Sequence, residues 1–146
     1  MTIRQADRGD LDALCALENR TFTHKDWLLS RRVFAYHLGK NPLLKAEIEG
    51  VLAGYALLLT RKNSQTTRLY AIGVDPSFQG RGIGRALLQT AIEQAQKIGA
   101  KRLVLEVRQD NAAALLLYEK FGFQRARLLH SYYPDGADGW KMAKEF

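Results

Sequence analysis

Residues Asp75–Leu88 read DPSFQGRGIGRALL, and this stretch decides how the rest of the chain is interpreted. Gly80, Gly82 and Gly84 alternate with larger residues, and an apolar run with helical spacing follows them at once. A glycine inside a helix costs about 1 kcal/mol relative to alanine, so three at a helix entrance indicate that side chains must be absent there. The unpaired N–H groups of a first helical turn attract anions, and the stretch therefore predicts an anion site at a helix start.

The glycines of QGRGIG (residues 79–84) are compatible with four kinds of loop. The first is a tight turn in which glycine serves backbone geometry alone. The second is a dinucleotide fingerprint, which needs a glycine where Arg85 stands and no intervening PSFQ, although Glu106 resembles its ribose-binding acid. The third, a phosphate loop, requires Gly-Lys followed by Ser or Thr and is excluded. The fourth is a diphosphate cradle of backbone N–H groups, with Arg81 and Arg85 adding positive charge.

Length and composition predict one globular domain over residues 1–146, with 47% apolar residues and enough chain for a sizeable core. No apolar run reaches 18 residues, so no transmembrane helix and no membrane partner are expected. The opening MTIRQADRGD is polar and unlike a signal peptide. A single cysteine, Cys15, cannot form an internal disulfide and is expected in the core. These features predict a cytoplasmic protein, either a monomer or a homodimer.

The net charge of +7 is compatible with a polyanionic cofactor, a nucleic acid or an acidic partner. The basic residues are scattered, with short pairs such as Arg31-Arg32 and no basic tail, so nucleic-acid binding is disfavoured. His24, His37 and His130 lack metal-ligand spacing, and one cysteine provides no zinc set. We therefore expect no metal site and interpret the histidines as structural or surface residues.

The apolar periodicity predicts the element order β-α-α-β-β-β-α-β-α-β-β. Strands are predicted over residues 3–6, 44–48, 51–60, 67–74, 103–107, 123–129 and 139–143. Helices are predicted over residues 11–19, 31–38, 82–98 and 112–121, with Asp10, Ser30 and Asn111 as caps of three of them. This order implies a mixed sheet with helices on both faces, an α+β or three-layer α/β/α architecture.

Two segments carry a family resemblance. The Q-x-x-G-x-G of residues 79–84, with YAIGVDPSFQ before it, resembles the acetyl-CoA signature of the GCN5-related N-acetyltransferases (GNAT). LEVRQDNAAALLLYEKFGF and the closing SYYPDGADGWKM resemble the ribosomal-protein alanine N-acetyltransferases of that superfamily. The resemblance covers residues 67–146 well, whereas the first sixty residues follow only the general helix pattern. It implies the GNAT fold, with a mixed and mostly antiparallel central sheet.

The resemblance also implies acetyl-CoA as cosubstrate, lying in a cleft between the strands at residues 67–74 and 101–108. The implied binding residues are Ile72, Gly73 and Val74 for the pantetheine arm and thioester, Gln79, Gly80, Arg81, Gly82, Ile83, Gly84 and Arg85 for the pyrophosphate, Asn111 for the arm and Tyr118 for the sulfur. Residues 111 and 118 share one helix face about 10 Å apart, a length that suits a ligand along the helix. The alternatives are a plain N-cap for Asn111 and a core aromatic for Tyr118.

Glu106 interrupts the apolar strand LVLEV, where a buried carboxylate is costly unless it is paired. A salt bridge or a solvated strand end is one interpretation. By resemblance, Glu106 is the general base, acting directly or through water, and the Val74 N–H stabilises the oxyanion. Tyr118 is then the general acid. Because a phenol near pKa 10 is a weaker acid than a thiol near 8.5, Tyr118 must be perturbed or must only hydrogen-bond the sulfur.

Tyr132 and Tyr133 precede Pro134 in a loop that, by resemblance, borders the acceptor; ordinary loop packing is the alternative. By resemblance, the predicted function is acetyl transfer to a primary amine, first a protein N-terminal α-amine and then a small-molecule amine or a lysine side chain. An α-amine, with a pKa of about 8, is easier to deprotonate than lysine at about 10.4. A GNAT enzyme acting on a small-molecule amine is one alternative. A non-catalytic acyl-CoA-binding regulatory module is the other, and it needs neither Glu106 nor Tyr118.

Overall fold

The computed structural model describes all of residues 1–146, and its elements follow the predicted order. The strands are β1 (Thr2–Gln5), β2 (Leu43–Ile48), β3 (Val51–Leu59), β4 (Thr66–Val74), β5 (Arg102–Arg108), β6 (Gln124–Leu129) and β7 (Gly139–Glu145). The helices are α1 (Leu11–Thr21), α2 (Arg31–His37), α3 (Ile83–Lys97) and α4 (Ala112–Lys120). None of these helices combines the length and the apolar character that crossing a membrane requires.

All seven strands join one sheet in the order β1-β2-β3-β4-β5-β7-β6. Only β4 and β5 run parallel, and every other neighbouring pair is antiparallel. The connection between β4 and β5 contains α3, the kind of helical crossover that a parallel pair requires. The predicted mixed, mostly antiparallel α+β fold is therefore confirmed.

Helices cover both faces of the sheet, and the two longest, α1 and α3, each carry one apolar stripe. The stripe of α3 is buried in the larger core cluster together with strand residues such as Leu58, Leu69 and Leu105. The stripe of α1 is buried in a second cluster with Phe34 of α2 and Leu57 of β3. Alternate strand residues therefore feed two cores, and the three-layer arrangement follows from this alternation.

Two of the three predicted helix caps are confirmed. The Ser30 hydroxyl accepts the N–H of Val33 at 3.3 Å at the start of α2. The Asn111 Oδ1 accepts the N–H of Ala114 at 3.1 Å at the start of α4. Each bond satisfies one of the backbone donors that a first helical turn leaves unpaired.

Asp10 immediately precedes α1 as predicted, but its carboxylate makes no capping bond to that helix. It accepts the Asp7 N–H and the Lys45 ammonium, both at 2.8 Å, because a short 3-10 turn moves the capping box back to Asp7. The expectation for Cys15 also needs correction. It is only half-buried and packs at the margin of the second cluster.

The two parallel strands at the centre of the sheet diverge. β4 and β5 pair only from Thr66↔Arg102 to Leu69↔Leu105. Beyond that point a register shift against β3 leaves Tyr70 as the extra residue of a β-bulge on β4. Bulges bend and twist the strand that carries them. A cleft therefore opens between residues 70–74 of β4 and residues 106–108 of β5, in the middle of the sheet.

Candidate active site

The open edge of β4 presents backbone groups to the cleft. The Asp75 N–H points towards β3, where it donates to Ala53 O at 2.8 Å. Backbone groups alternate sides along a strand, so those of Ile72 and Val74 point away from β3 and into the cleft. These are the two residues whose backbone was expected to meet the pantetheine arm. Gly73 faces β3, and a Cβ there would lie 2.9 Å from the Tyr55 ring, so packing alone explains this glycine.

The loop between β4 and α3 owes two of its glycines to backbone geometry. Gly80 and Gly82 have φ angles of 81° and 76°, in the left-handed region that favours glycine. Gly84 has no such φ, and a Cβ there would meet only the Val74 Cγ2, at an ordinary 3.6 Å. Geometry therefore accounts for the first two glycines, in agreement with the tight-turn interpretation, and leaves the third one unexplained.

The same loop presents a row of unpaired donors. None of the backbone N–H groups from Gly80 to Arg85 donates to an acceptor within the chain, and the first paired one belongs to Ala86. Gly82 occupies the N-cap of α3 and supplies no side-chain cap. Arg81 and Arg85 are exposed, and Arg81 lies over the Phe78 ring at 5.3 Å. Free N–H groups at the start of a 15-residue helix form an anion site.

Ile83 and Gln79 contribute to this loop in different ways. The Ile83 side chain is buried in the larger core, so only its backbone is available to a ligand. Gln79 is exposed and closes the 3-10 turn Pro76–Phe78 with a 3.4 Å bond from its N–H to Pro76 O. The Asp75 carboxylate caps that turn through the Ser77 N–H at 2.9 Å, so PSFQ has a fixed conformation ahead of α3.

A cavity of about 190 Å³ lies where β4 and β5 diverge. Six of the predicted site residues line it: Ile72, Glu106, Asn111, Tyr118, Tyr132 and Tyr133. The glycine loop lies outside this lining, beyond the end of β4. The predicted residues thus form two groups, a row of N–H donors at α3 and a cavity between the strands, with the open edge of β4 running from one to the other.

Tyr118 contributes its hydroxyl to the cavity. Its ring packs edge-on against Phe123 with the ring centroids 5.8 Å apart. Burial raises the pKa of Tyr118 to about 12, and no hydrogen bond within the chain opposes that effect. The Tyr118 hydroxyl has no hydrogen-bond partner within the chain, but it is not fully buried, because Trp140 Nε1 is the only fully buried side-chain polar atom without a partner. The hydroxyl is therefore accessible from the cavity that Tyr118 lines. The ring is a core aromatic, as one interpretation expected, but its polar end is free.

Glu106 is paired on one side only. Its Oε2 accepts a hydrogen bond from Arg68 Nε at 2.9 Å, and Nη2 of the same guanidinium lies 2.9 Å from that oxygen in the ion pair. The expected alternative of a salt bridge is therefore present, yet Oε1 makes no hydrogen bond within the chain. Because the side chain is 16% exposed and lines the cavity, this second oxygen is available to a proton, a water molecule or an ammonium group.

A second carboxylate, Glu18 of α1, lies in the cavity wall and was missed by sequence reasoning. Its Oε1 accepts the Tyr55 hydroxyl at 2.5 Å, and its Oε2 accepts the Leu29 N–H at 2.8 Å. It is 1% exposed, and burial raises its pKa. The signal was present in the sequence, because Glu18 stands four residues after Leu14 on the apolar stripe of α1. With both oxygens occupied, Glu18 anchors its neighbours.

Replacing Glu18 by alanine is expected to lower the free energy of unfolding by about 1–3 kcal/mol, because it leaves the buried Tyr55 hydroxyl without a partner. Urea unfolding followed by circular dichroism measures the loss. Glu93→Ala is the matched control, since Glu93 is exposed and bonds only Gln89 on its own helix. Equal unfolding midpoints for the two variants would contradict the anchoring role.

Three aromatic side chains form the outer lip of the cavity. The centroid of the Trp27 ring lies 4.5 Å from that of Tyr132 and 5.7 Å from that of Tyr133, and the centroids of the two tyrosine rings are 5.2 Å apart. Burial, and next the negative charge of Glu106, raise the pKa of Tyr132. Burial is also the largest cause of the raised pKa of Tyr133. Loop packing and cavity lining thus coexist. Trp27 was missed, because its place in the lip depends on tertiary contacts with Tyr132 and Tyr133.

A sequence model of the acetyltransferase (GNAT) family matches residues 11–123. The chain belongs to this family. The GNAT match spans both the glycine loop and α4, the two segments on which the resemblance was first seen. It also takes in α1 and α2, where the sequence pattern was weaker.

Individual relatives agree with the family assignment. This GNAT chain is 37% identical over 134 residues to the [ribosomal protein bS18]-alanine N-acetyltransferase of Escherichia coli, covering 91% of this chain and 87% of that one. It is 38% identical over 152 residues to the N-alpha-acetyltransferase RimI of Mycobacterium tuberculosis, covering 99% and 92%. The crystal structure of the ribosomal-protein-S18-alanine N-acetyltransferase from Escherichia coli has a TM-score of 0.89 and 35% identity, over 99% of this chain and 92% of that one.

These findings confirm the fold and the resemblance. The chain is an acetyl-CoA-dependent N-acetyltransferase of the GNAT family, similar to RimI enzymes. No group of three or more histidine, cysteine, aspartate or glutamate side chains lies close enough together to hold a metal ion.

Proposed function

We propose that this GNAT enzyme acts in the cytoplasm and transfers the acetyl group of acetyl-CoA to the α-amine of a protein N-terminus. The observation that carries the proposal is the cavity at the β4–β5 divergence, where the free oxygen of Glu106 and the free hydroxyl of Tyr118 line one space. The names of its relatives point the same way, since one acts on the alanine of a ribosomal protein and another is an N-alpha-acetyltransferase.

The donor is proposed to lie along the open edge of β4. The Ile72 and Val74 backbone groups hydrogen-bond the pantetheine amides and the thioester carbonyl, as a neighbouring strand would. The N–H groups from Gly80 to Arg85 take the pyrophosphate, and the missing side chain of Gly84 lets it approach. The Asn111 Oδ1 is engaged with Ala114, which leaves its amide N–H group to hold the arm.

Glu106 is proposed as the general base because it is the cavity glutamate with a free oxygen. Glu18 has both oxygens occupied. Both oxygens of Asp26 also have partners, the Arg108 guanidinium at 3.5 Å and the Thr23 N–H at 3.4 Å. Deprotonating an amine at pH 7 costs about 1 kcal/mol for an α-amine of pKa 8 and about 5 kcal/mol for a lysine of pKa 10.4. A single carboxylate, acting directly or through one water, is therefore better matched to an α-amine.

The neutral amine attacks the thioester carbonyl, and the Val74 N–H stabilises the oxyanion. Tyr118 meets the sulfur as the thiolate leaves. With a pKa of about 12 against about 8.5 for a thiol, full proton transfer from Tyr118 is uphill by about 5 kcal/mol. We propose that Tyr118 acts as the acid by donating a hydrogen bond to the departing sulfur, while solvent completes the protonation.

Peptide acetylation tests the function directly. Two peptides of identical sequence with an internal lysine are compared, one with a free N-terminus and one with a blocked N-terminus, by mass spectrometry and by thiol release. We expect acetylation of the free α-amine only. Transfer to lysine or only to small amines would replace the proposed acceptor, and acetyl-CoA binding without turnover for any amine would favour the regulatory module.

Gly84→Val tests the donor site. We expect the KM for acetyl-CoA to rise at least about 10-fold, because the new side chain would occupy the approach to the row of N–H groups. A 10-fold rise corresponds to a loss of about 1.4 kcal/mol in binding free energy. The thermal midpoint should not fall, since a Cβ at Gly84 has room in the free protein. The control is Thr90→Val, which introduces a valine elsewhere on α3, the helix that contains Gly84. Gly99→Val is unsuitable because Gly99 has a positive φ angle. An unchanged KM would contradict pyrophosphate binding at Gly84.

A further inference from the structure

Arg108, the last residue of β5, connects three separate segments below the cavity lip. Its guanidinium donates to Asp135 at 2.7 and 3.1 Å, to Asp110 at 3.1 and 3.2 Å, and to the Lys25 carbonyl at 3.1 Å. The Asp26 carboxylate lies 3.5 Å away. The side chain is 16% exposed, and every guanidinium nitrogen has a partner, so no nitrogen is left for a substrate.

The segments that Arg108 joins carry the lip. The α1–α2 loop, residues 22–30, bears Trp27, and the β6–β7 loop, residues 130–138, bears Tyr132 and Tyr133. Arg108 also lies over the Tyr133 ring at 5.0 Å. No other salt bridge connects the two loops, because the remaining one in this region, His130 with Asp138, lies within the β6–β7 loop.

The end and the middle of the α1–α2 loop are held by different residues. Near its end, the Leu29 N–H is bound by the buried Glu18. Its middle, at Lys25 and Asp26, depends on Arg108. The β6–β7 loop is bound to β5 by Asp135 through the same guanidinium, in addition to a bond from the Gln109 N–H to Asp138 O at 2.9 Å. Displacing either loop therefore removes partners that orient Arg108 towards the other.

We infer that Arg108 is a positioning residue for the acceptor, which couples the α1–α2 loop to the β6–β7 loop and so keeps the lip in one geometry. The part concerning the acceptor rests on the proposed function; the coupling of the loops does not. Arginine suits this task because its planar fork binds two carboxylates and a carbonyl at once. A lysine ammonium lacks that fixed geometry, so Arg108→Lys would preserve the charge and lose the coupling.

Asp135→Asn tests the coupling, because it removes one charge in the β6–β7 loop and keeps the oxygen that accepts the Ala137 N–H. Hydrogen–deuterium exchange should increase at least about threefold in residues 22–30 as well as in residues 130–138. Asp26→Asn, which changes the α1–α2 loop instead, should likewise increase exchange in the β6–β7 loop as well as in its own loop. Glu145→Gln is the matched control, since it breaks a two-bond pair with Arg102 at the other end of β5. Exchange that rises only in the mutated loop would overturn the coupling.

Kinetics test the acceptor role with whichever amine the wild-type enzyme acetylates. For Asp135→Asn and Arg108→Lys we expect the acceptor KM to rise about 10-fold, while the KM for acetyl-CoA stays within twofold and Asp135→Glu recovers part of the loss. Equal effects on both KM values, or none on the acceptor KM, would overturn acceptor positioning. Should the wild type acetylate small amines but no peptide, the proposed function fails, and the exchange experiment still decides the coupling.

Discussion

Glu106→Gln is expected to lower kcat at pH 7 by about 10²- to 10⁴-fold, the range over which general base catalysis operates. The amide keeps the shape of the carboxylate and can still accept from Arg68, but it cannot take a proton from the acceptor ammonium. Steady-state rates with a saturating peptide measure the loss. Glu145→Gln is the matched control, because this glutamate also pairs with an arginine of the neighbouring strand, Arg102 of β5, but does not line the cavity.

The pH dependence separates a base from a structural residue. An α-amine with a pKa of about 8 is almost entirely neutral by about pH 10, so the defect of Glu106→Gln should shrink as the pH rises. A loss that is independent of pH would contradict the assignment and would indicate that the Glu106–Arg68 pair only shapes the cavity.

Tyr118→Phe is the second large effect. It removes only the hydroxyl and keeps the ring contact with Phe123, so we expect kcat to fall about 10- to 100-fold with less than a twofold change in the KM for acetyl-CoA. The defect should be smaller for an acetyl donor whose thiol has a lower pKa, since a better leaving group needs less assistance. Unchanged kcat would reduce Tyr118 to a packing residue.

The sign of the Tyr118 shift predicts its pH behaviour. Burial raises its pKa to about 12, so the hydroxyl keeps its proton through the assay range and the wild-type rate should show no decline from its ionisation below about pH 11. The pH profile of Tyr118→Phe should therefore parallel that of the wild type at a lower rate. Tyr36→Phe, at an exposed tyrosine of α2, is the control for the loss of a phenol.

The local pattern of apolar and capping residues in the sequence was sufficient to predict most of the fold. The apolar stripe of α3, the alternation in the strands and the caps at Ser30 and Asn111 depend on contacts within a few residues, and sequence periodicity reports such contacts directly. The divergence of β4 from β5 was implied only by family resemblance. It depends on how far two apolar strands stay paired and on one bulge at Tyr70, neither of which a window of sequence contains.

The residues of the candidate site also divide into those that the sequence could identify and those that depend on tertiary contacts. The glycine pattern identified the loop as a candidate site, and family resemblance identified Glu106 and Tyr118, whereas Arg108 and Glu18 went unnoticed. Arg108 meets the Lys25 carbonyl across 83 positions of sequence, so its role depends on tertiary structure alone. Glu18 was detectable as a carboxylate in an apolar stripe, but its partner Tyr55 lies 37 positions away.

The divergence of β4 from β5 has a consequence for the free enzyme. A sheet normally ends at its outer strands, and here the outer strand β6 bears Arg125 and Arg127, charges that discourage pairing with another chain. The gap at β4 is a strand edge in the interior of the sheet. In the proposed binding mode it cannot carry such charges, because the acetyl donor must reach it. Acetyl-CoA would serve as a surrogate strand, and the saturation of the enzyme with its donor would then govern how completely the sheet is joined.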